Sequence, residues 1–388
     1  MSILTVDVVS PGWEPVRDAF VQGFELGEDH GAGVSIYHRG KCVVDLMGGW
    51  RNRDHTEPYS SDSLQVVFST TKGITSIAVA MCVERGLLNY DEKVATYWPE
   101  FAAKGKQDVT VAQLLSHRAG LYTVEGDITL EEALHWDTIT SRLADTAPFF
   151  PVGTTHGYHA ITFGWLAGEL VRRVTGMSLG TFVRSNIVEP LGVEFHIGLP
   201  EELEPRVARL MAHPIPKFPP DVAKVMMERS GPGTRGAAAL GLNGAFGPGA
   251  FNLPAVHQAE IPGANGIGNA RSLACIYSAT VSTVDGIRLL GDEARDRART
   301  SNTPQGELDS VLIDETDFGM GFMVHSPYTE YSGPSSFGHN GAGGSVAFAE
   351  VRRELAFAYV MNTMMTVADG DPRRNRLTAA ASLCADSV

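Results

Sequence analysis

Apolar residues near the start of the chain follow first a helical period and then strand-like runs. Val16, Phe20 and Phe24 lie four residues apart, which predicts an amphipathic N-terminal helix with one face against a sheet. Residues 33–38 and 42–47 are largely apolar and are separated by a short Arg-Gly-Lys turn. This arrangement predicts a β-hairpin.

The end of the chain returns to strand-like patterns. Residues 318–324, 344–351 and 354–361 alternate or run apolar, which predicts three strands. A closing helix is expected from about Asp371 to Leu383. Strands at both ends with helices between them predict a sheet that is built from both termini.

The middle of the chain, residues 64–290, follows mostly the helical period. One helix is expected to begin after a cap at Thr110 and to run on to a stop at Gly120. Another is expected over residues 161–175, closed by Gly176. The sequence therefore predicts a helical part inserted into the sheet.

Residues 201–262 have a different character, with several prolines and then a Gly/Ala-rich run over 231–249. We expect loops that line or cover a cleft. The predicted fold class is α+β. Residues 1–63 and 291–388 form an antiparallel sheet domain flanked by terminal helices, and residues 64–290 form a mostly helical domain.

The composition is that of an ordinary globular protein, and it narrows the set of functions. The 388 residues exceed the usual size of a single core, so two domains or one bipartite fold is expected. The formal net charge of -14, without a cluster of Lys and Arg, argues against a nucleic-acid partner.

The chain also lacks the patterns of export, membrane insertion and cofactor binding. No apolar run approaches the roughly 18 residues of a membrane span, and residues 1–13 do not resemble a signal peptide. The four cysteines are scattered, without a histidine in metal-ligand spacing. Residues 265–268 lack the glycine pattern of a nucleotide-binding loop. We therefore expect a cytosolic protein without membrane contact, disulfide, metal or cofactor.

Ser69 stands where a polar stretch gives way to the apolar run that begins at Ile74, so the sequence places it in the first turn of a buried helix. Residues three apart on a helix share a face, so Ser69 and Lys72 are expected to project into the same cleft. A lysine made neutral by burial could take the proton of the hydroxyl, which favours acyl transfer through Ser69. The alternative is a helix cap beside a surface lysine, because Ser-x-x-Lys is short and occurs by chance.

Two further clusters carry side chains suited to chemistry. Tyr158 ends a Gly-bearing loop just ahead of the helix at Ile161, where a lone Tyr could equally be a packing residue. His339, Asn340 and Gly341 lie in a glycine-dense stretch that leads into a strand. Such glycine density allows a backbone to approach a ligand closely, and it also suits an ordinary tight turn.

In their order along the chain, these clusters resemble the motifs of the serine β-lactamase and penicillin-binding protein superfamily. The resemblance covers most of the chain and rests on an ordered set: Ser69-x-x-Lys72, Tyr158 and His339-Asn340-Gly341. The chain looks most like the class C β-lactamase-like branch, which includes family VIII carboxylesterases and D-specific peptidases.

The resemblance implies a β-lactamase/transpeptidase-like fold and a role for each motif. Ser69 is the implied nucleophile, and Lys72 and Tyr158 are the implied acid/base pair. The backbone N–H groups of Ser69 and Ala342 would form the oxyanion hole, where donors of this kind are worth a few kcal/mol each.

The expected substrate pocket comprises Tyr122, His339, Asn340 and Gly341, and it departs from the pattern of penicillin-recognising relatives. Those relatives usually carry Asn two residues after the Tyr, where this chain has Ala160, and often Lys at the start of the third motif, where it has His339. A histidine is mostly neutral at pH 7. An anionic β-lactam or peptide C-terminus should therefore be held less well.

A second serine motif competes with Ser69. Residues 176–180 match G-x-S-x-G, the nucleophile elbow of α/β-hydrolases, which would make Ser178 catalytic. That elbow follows a buried strand, whereas residues 163–174 have helical spacing, so Ser178 is expected to cap a helix. His117, beside Ser116, is expected to be structural, because sequence neighbours on a helix point apart.

Together these observations predict a serine carboxylesterase that acts on short-chain or compact esters through an acyl-Ser69 intermediate. A D-aminopeptidase or DD-peptidase, or a weak β-lactamase, would use the same mechanism. An alternative of another class is a catalytically silent relative that binds a ligand, although the retention of all three chemical groups argues against it.

Overall fold

A computed structural model describes residues 4–213, 220–327, 329–365 and 370–388. Its strands, within those ranges, are β1 (Leu4–Val9), β2 (Gly31–His38), β3 (Lys41–Gly49), β4 (Gln65–Val66), β5 (Phe195–His196), β6 (Met211–Ala212), β7 (Ile267–Gly268), β8 (Met323–Val324), β9 (Ser336–Asn340), β10 (Val346–Glu350), β11 (Leu355–Met361) and β12 (Thr363–Met364).

The main sheet has the strand order β1-β3-β2-β11-β10-β9-β8, and every neighbouring pair is antiparallel. The pairing of β2 with β11 joins the two ends of the chain, as the sequence predicted. β4, β7 and β5 form a small antiparallel sheet, and β6 pairs with β12 in parallel.

The α-helices of the described ranges are α1 (Glu14–Glu25), α2 (Thr71–Glu84), α3 (Val94–Tyr97), α4 (Val111–Leu115), α5 (Leu130–Ala133), α6 (Trp136–Asp145), α7 (Thr162–Thr175), α8 (Leu179–Val183), α9 (Glu189–Leu191), α10 (Pro220–Ser230), α11 (Arg235–Gly241), α12 (Pro254–Gln258), α13 (Ala270–Val281), α14 (Asp292–Arg299) and α15 (Pro372–Ser387). None of these helices is both long enough and apolar enough to span a membrane.

Strand alternation divides the core into two layers, as β11 shows. Leu355 and Phe357 belong to the cluster that α1 and α15 cover, whereas Ala356 and Ala358 belong to the larger cluster on the side of α13. The small alanine side chains leave room for α13 to pack closely on the sheet. Both faces of the sheet are therefore buried beneath helices.

The large cluster continues into the helical part, where α2 is its central element. Every α2 residue from Thr71 to Cys82 is buried, and the helix packs against α7, α8 and α14. A mostly apolar helix that is buried on all sides lies in the interior of a fold. This position fixes the start of α2, and with it the segment that carries Ser69.

Several predicted elements are confirmed. β2 and β3 form the hairpin, with a turn at Arg39 and Gly40. Thr110 caps α4 through a capping box, and Gly176 closes α7 with φ 71°. The closing helix begins after an Asp371 cap.

Other predicted boundaries are wrong. The helix after Thr110 ends at Leu115, well before Gly120. The strand expected over residues 318–324 is reduced to β8, because the chain turns at Gly321, whose φ is 89°. The third motif was expected to lead into a strand, and β10 does follow at Val346. The sequence did not predict that His339 and Asn340 themselves end β9, nor that a 3₁₀ turn, Ala342–Gly344, lies between.

The stretch predicted as loops, residues 201–262, holds α10, α11 and α12 as well as short 3₁₀ turns. Pro220 and Pro254 each start a helix, a position where the missing N–H of proline costs nothing. Residues 214–219, which hold three of the prolines, lie outside the described residues. The division into domains at residues 63 and 290 stays a prediction.

Candidate active site

Ser69 lies in the turn that leads into α2, two residues before the helix begins at Thr71, and so not in the first helical turn as predicted. Phe68 has φ 46°, a left-handed conformation that is strained for a bulky residue. The Thr71 hydroxyl donates to the Phe68 carbonyl and accepts the Gly266 N–H at 2.8 Å. These bonds hold the strained turn in place and leave Ser69 half-buried.

Lys72 is fully buried beside Ser69. Its Nζ lies 3.0 Å from Ser69 Oγ, 2.5 Å from the Ala160 carbonyl oxygen and 2.7 Å from the Gly263 carbonyl oxygen. Burial lowers the pKa of Lys72 well below its ordinary 10.5. A neutral amine has two N–H groups and one lone pair, so the two carbonyls can take the N–H groups while the lone pair accepts the Ser69 hydroxyl proton.

Close packing brings the Gly263 carbonyl to the amine. A Cβ at Gly164, on α7, would lie 2.0 Å from the Gly263 nitrogen, so only glycine allows this approach. Thr75 Oγ1 also donates to the Pro262 carbonyl at 2.8 Å. The sequence reasoning missed both lysine-binding carbonyls, because a backbone acceptor leaves no side-chain signature.

Tyr158 is buried next to Lys72, whose Nζ lies 4.8 Å from the centre of the tyrosine ring. The ring stacks on Phe318, with centroids 5.8 Å apart, and on His339, with centroids 6.1 Å apart. The structure therefore brings Ser69, Lys72 and Tyr158 together in one site.

Asp309 holds the backbone of Tyr158, and the sequence reasoning missed it. Its Oδ1 accepts the N–H groups of Tyr158 at 3.1 Å and of Val311 and Leu312 at 2.8 Å each. Thr316 Oγ1 donates to Oδ2 at 3.2 Å and lies 3.0 Å from His156 Nε2. This carboxylate therefore fixes the segment before α7 from a distant part of the chain.

The glycine turn after β9 packs directly on the backbone around Ser69. A Cβ at Gly341 would lie 2.1 Å from Ser345 Oγ, 2.3 Å from the Val67 carbonyl and 2.9 Å from Thr70 Oγ1. Ser345 Oγ also donates to the Val67 carbonyl at 2.8 Å. Ala342, the next residue, is exposed, and its oxyanion-hole role stays a prediction.

His339 is 1% exposed and so lies behind the cleft surface. Its Nδ1–H donates to the Asn340 carbonyl at 2.7 Å, and its Nε2 has no hydrogen-bond partner among the described residues. Burial, and then the nearby Lys72, lower the pKa of His339 to about 3. The third motif therefore carries a neutral ring at pH 7.

The other predicted pocket residues lie at the surface of the site or just below it. Asn340 and Gly341 are partly exposed. Tyr122 is 7% exposed and its ring packs on Phe149, with centroids 5.0 Å apart. The substrate contacts of these residues stay a prediction.

The competing serines have other partners. Ser178 caps α8, and its hydroxyl donates to Glu260 at 2.6 Å. Ser116 Oγ donates to the Ala112 carbonyl at 2.7 Å, and His117 Nδ1 accepts the His159 N–H at 3.1 Å. The His117 ring packs against Tyr158, 5.0 Å between centroids.

Groups of three or more His, Cys, Asp or Glu side chains that could hold a metal ion do not occur within the described ranges. The fold is that of the β-lactamase/transpeptidase-like class, and the structure brings Ser69, Lys72 and Tyr158 together in one site. The family model described as Beta-lactamase matches residues 17–381, so the chain belongs to that family.

Individual relatives include both esterases and a penicillin-binding protein homologue. The chain is 34% identical over 366 residues to the esterase/β-lactamase LipL of Mycobacterium tuberculosis, covering 92% of this chain and 82% of LipL. The crystal structure of a family VIII carboxylesterase matches with 36% identity and a TM-score of 0.87, covering 98% of this chain and 100% of the other. A penicillin-binding protein homologue from Caulobacter crescentus matches with 38% identity and a TM-score of 0.85, over 98% and 100% of the two chains.

Proposed function

We propose that this protein is a serine carboxylesterase that hydrolyses short-chain or compact esters through an acyl-Ser69 intermediate. The observation that carries the proposal is the 3.0 Å contact between Lys72 Nζ and Ser69 Oγ at a fully buried amine whose pKa is lowered. Two relatives that match nearly the whole chain are named as esterases, which supports the same reaction.

In the acylation step, the Ser69 hydroxyl proton passes to the neutral Lys72 amine while Oγ forms a bond to the ester carbonyl carbon. The carbonyl oxygen becomes an oxyanion, which accepts the N–H groups of Ser69 and Ala342. Collapse of this intermediate breaks the bond to the alkoxy oxygen, which takes a proton from Tyr158, and Lys72 restores that proton. Water then attacks the acyl-Ser69 ester with the same groups in reverse order and releases the acid.

The charge of the site favours neutral substrates. A buried His339 with a pKa of about 3 supplies no cation for a substrate carboxylate. Ala160 likewise has no amide side chain to hold a substrate amide. Simple esters have neither a carboxylate nor a side-chain amide to be bound. The absence of a cation at His339 and of an amide at Ala160 should therefore not weaken their binding.

The test compares Ser69→Ala with Ser178→Ala on p-nitrophenyl acetate and butyrate. We expect Ser69→Ala to lose at least about a thousandfold in kcat, since it removes the nucleophile, and Ser178→Ala to keep kcat within a few-fold. Full turnover by Ser69→Ala would overturn the proposal.

A second candidate with the same mechanism is a weak β-lactamase or a D-aminopeptidase. This candidate is supported by two relatives, one named as an esterase/β-lactamase and the other as a penicillin-binding protein homologue. A chromogenic cephalosporin and D-amino-acid p-nitroanilides, assayed beside the esters, separate the two. Higher kcat/KM on either of these than on the esters would replace the esterase proposal.

A catalytically silent, ligand-binding protein is the alternative of another class. A fluorophosphonate probe should label Ser69 in the wild-type protein and leave Ser69→Ala unlabelled. Failure to label the wild-type protein would favour the silent alternative.

We also propose a cytosolic location. Cys42, Cys82, Cys275 and Cys384 are all free thiols, which is the usual state in a reducing compartment. Fractionation of the producing cells, with activity recovered in the cytosolic fraction, is the expected result. Recovery outside the cytosol would contradict this location.

A further inference from the structure

A fully buried arginine lies behind the glycine turn, in the first turn of α15. Arg373 is 0% exposed and is surrounded by Asp371, Asp29 and Tyr359, all buried. Its guanidinium pairs with Asp371 at 2.6 Å and with Asp29 at 3.4 Å, and the Tyr359 hydroxyl donates to Asp29 at 2.5 Å. A buried charge of this kind persists only when every donor finds a partner.

The guanidinium also binds the glycine turn itself. Arg373 Nη2 donates to the Gly343 carbonyl at 2.7 Å, and Nη1 donates to the Thr363 carbonyl at 2.9 Å. The Met365 N–H reaches the same Gly343 oxygen at 3.1 Å. One side chain thus joins α15, β12 and the turn after β9.

The turn, Ala342–Gly344, has almost no side-chain atoms that could fix its own conformation. Ala342 is exposed, and Gly343 and Gly344 have φ of 82° and 128°, conformations that favour glycine. A Cβ at Gly344 would lie 2.3 Å from Asp371 Oδ2 and 2.6 Å from Arg373 Nη2. The ion pair therefore lies directly against the backbone of the turn, where only glycine leaves room for it.

We propose that Arg373 is a positioning residue that fixes the peptide planes of this turn and so aims the Ala342 N–H at the oxyanion. The inference rests on the proposed function, since it assigns no new reaction. Glycine-rich backbone is conformationally free, and an oxyanion donor acts only when it points at the developing charge before the reaction begins. The hydrogen bond from Arg373 to the Gly343 carbonyl restricts the conformations of the turn. Because Arg373 is fully buried, it does so without placing a charge in the cleft.

The test uses Arg373→Lys, which keeps the charge but cannot bind Gly343, Asp371 and Thr363 at once. We expect kcat for p-nitrophenyl butyrate to fall about tenfold or more, short of the 10²–10³ that the loss of a whole oxyanion donor costs. KM should change by less than about twofold, because the turn acts on the transition state. The second-order rate of fluorophosphonate labelling at Ser69 should fall by the same factor as kcat, since that reaction also develops an oxyanion.

Arg376→Lys is the matched control. Arg376 lies on the same helix, pairs with Glu28 at 2.7 Å and donates to the Ala19 carbonyl at 3.2 Å, so its replacement by lysine should keep kcat within twofold. A folded Arg373→Lys with wild-type kcat would overturn the proposal. So would an Arg376→Lys protein whose kcat falls as far as that of Arg373→Lys.

If Arg373→Lys does not fold, Asp371→Asn decides the question. Asn retains the helix cap and the shape of the side chain, but it removes one of the two charges that hold the guanidinium. The proposal expects a several-fold loss of kcat at unchanged KM, and wild-type kcat would contradict it. In both experiments, ester turnover by the wild-type protein that depends on Ser69 separates a failure of this inference from a failure of the proposed function.

Discussion

Burial is the cause of the lowered pKa of Lys72. A carboxylate partner would raise the pKa of a lysine and keep it protonated, whereas two peptide carbonyls accept hydrogen bonds from either form. The amine beside Ser69 is therefore suited to take a proton rather than to hold one. The proposed acylation step depends on the low pKa of this amine.

The pH dependence of kcat/KM tests this state of Lys72. Below the pKa the amine is protonated and cannot accept the Ser69 proton, so kcat/KM should rise with pH and reach its plateau well below pH 10.5. Lys72→Arg should lose at least about a thousandfold, because arginine stays protonated. Lys93→Arg, at a half-exposed lysine paired with Asp108, should leave the profile unchanged. A plateau that begins only near pH 10.5 would contradict the assignment.

The buried histidines around Tyr158 should be neutral throughout the physiological range. Burial lowers the pKa of His117, His156, His159 and His339, to about 4 for His159 and about 3 for His339. The unfolded chain binds protons on these rings from about pH 6.5 downward while the folded chain does not, so their contribution to stability is lost as pH falls below 6.5.

NMR of ring-labelled histidine measures this directly. We expect the His159 and His339 signals of the folded protein to stay constant from pH 8 to pH 5, and to titrate near pH 6.5 in urea. Burial raises the pKa values of Asp29 and Asp45 to about 6, so below that pH these carboxyls favour the folded chain while the histidines favour the unfolded chain. The pH dependence of the free energy of unfolding mixes the two effects, whereas ring titration reports on the histidines alone. A folded-state midpoint near 6.5 for either ring would be inconsistent with the structure.

The side chains of the site could be predicted from the sequence, but the backbone groups and the burial around them could not. Ser69, Lys72 and Tyr158 could be named because each lies in a motif with a chemical reason. The carbonyls of Ala160 and Gly263 could not, because any residue type supplies a carbonyl and only the fold decides where it points. The burial of His339 was missed for a similar reason, since its place in the motif predicted a substrate pocket and only the fold shows that the ring is covered.

At the scale of elements, the glycine turn after β9 must fit closely against the Ser69 turn. Gly341→Ala would place a Cβ 2.3 Å from the Val67 carbonyl, a backbone atom that cannot rotate away. We expect at least about a hundredfold loss of kcat, because the shift displaces Ala342, the proposed oxyanion donor. Gly247→Ala, where a Cβ meets nothing within 4 Å, should keep wild-type kcat. Equal activity of the two variants would show that the two turns are not coupled.

Thr316 holds Asp309, which in turn accepts the backbone N–H of Tyr158. Thr316→Val keeps the shape but removes the hydroxyl, leaving Asp309 Oδ2 and His156 Nε2 without this partner. An unpaired buried polar group costs about 1–3 kcal/mol, so we expect a lower Tm in thermal melts and a several-fold lower kcat. Thr316→Ser should restore both, and a Thr316→Val protein with unchanged kcat would separate Asp309 from catalysis.

Element prediction succeeded where local chemistry determines local structure. The β2–β3 hairpin has apolar runs around a polar turn, and α7 ends at a glycine that adopts the left-handed conformation. The helices α10 to α12 were missed, because Gly and Ala make up most of α11 and because α10 and α12 begin at prolines, which predicted loops. β9 was missed because its last residues, His339 and Asn340, belong to the glycine-dense stretch that was interpreted as lying ahead of a strand.

At the scale of the whole molecule, the site joins segments that are far apart in sequence. Lys72 contacts carbonyls 88 and 191 positions away, and Ser345 binds Val67 across 278 positions. Contacts of this range depend on the entire packing of sheet and helices. Local patterns therefore predicted which residues take part, and the resemblance to a known family predicted that they meet.

The two ends of the chain share a core on the outer face of the sheet. Leu377, on α15, is 1% exposed in the cluster that includes α1, whereas Leu383 on the same helix is 64% exposed. Leu377→Ala should lower the free energy of unfolding by about 2–5 kcal/mol, measured by urea denaturation, with kcat of the folded protein unchanged. Leu383→Ala should change neither. A loss of kcat in Leu377→Ala at full stability would contradict a purely structural role for this layer.

The two carbonyl groups that hold Lys72 have a consequence for the conditions under which the protein can work. A peptide oxygen neither gains nor loses a proton in water of ordinary acidity, so the cradle around the amine is the same in acid and in alkali. A change of pH therefore acts on the amine and on the side chains that exchange protons with it, whereas the two groups that hold the amine in place stay as they are.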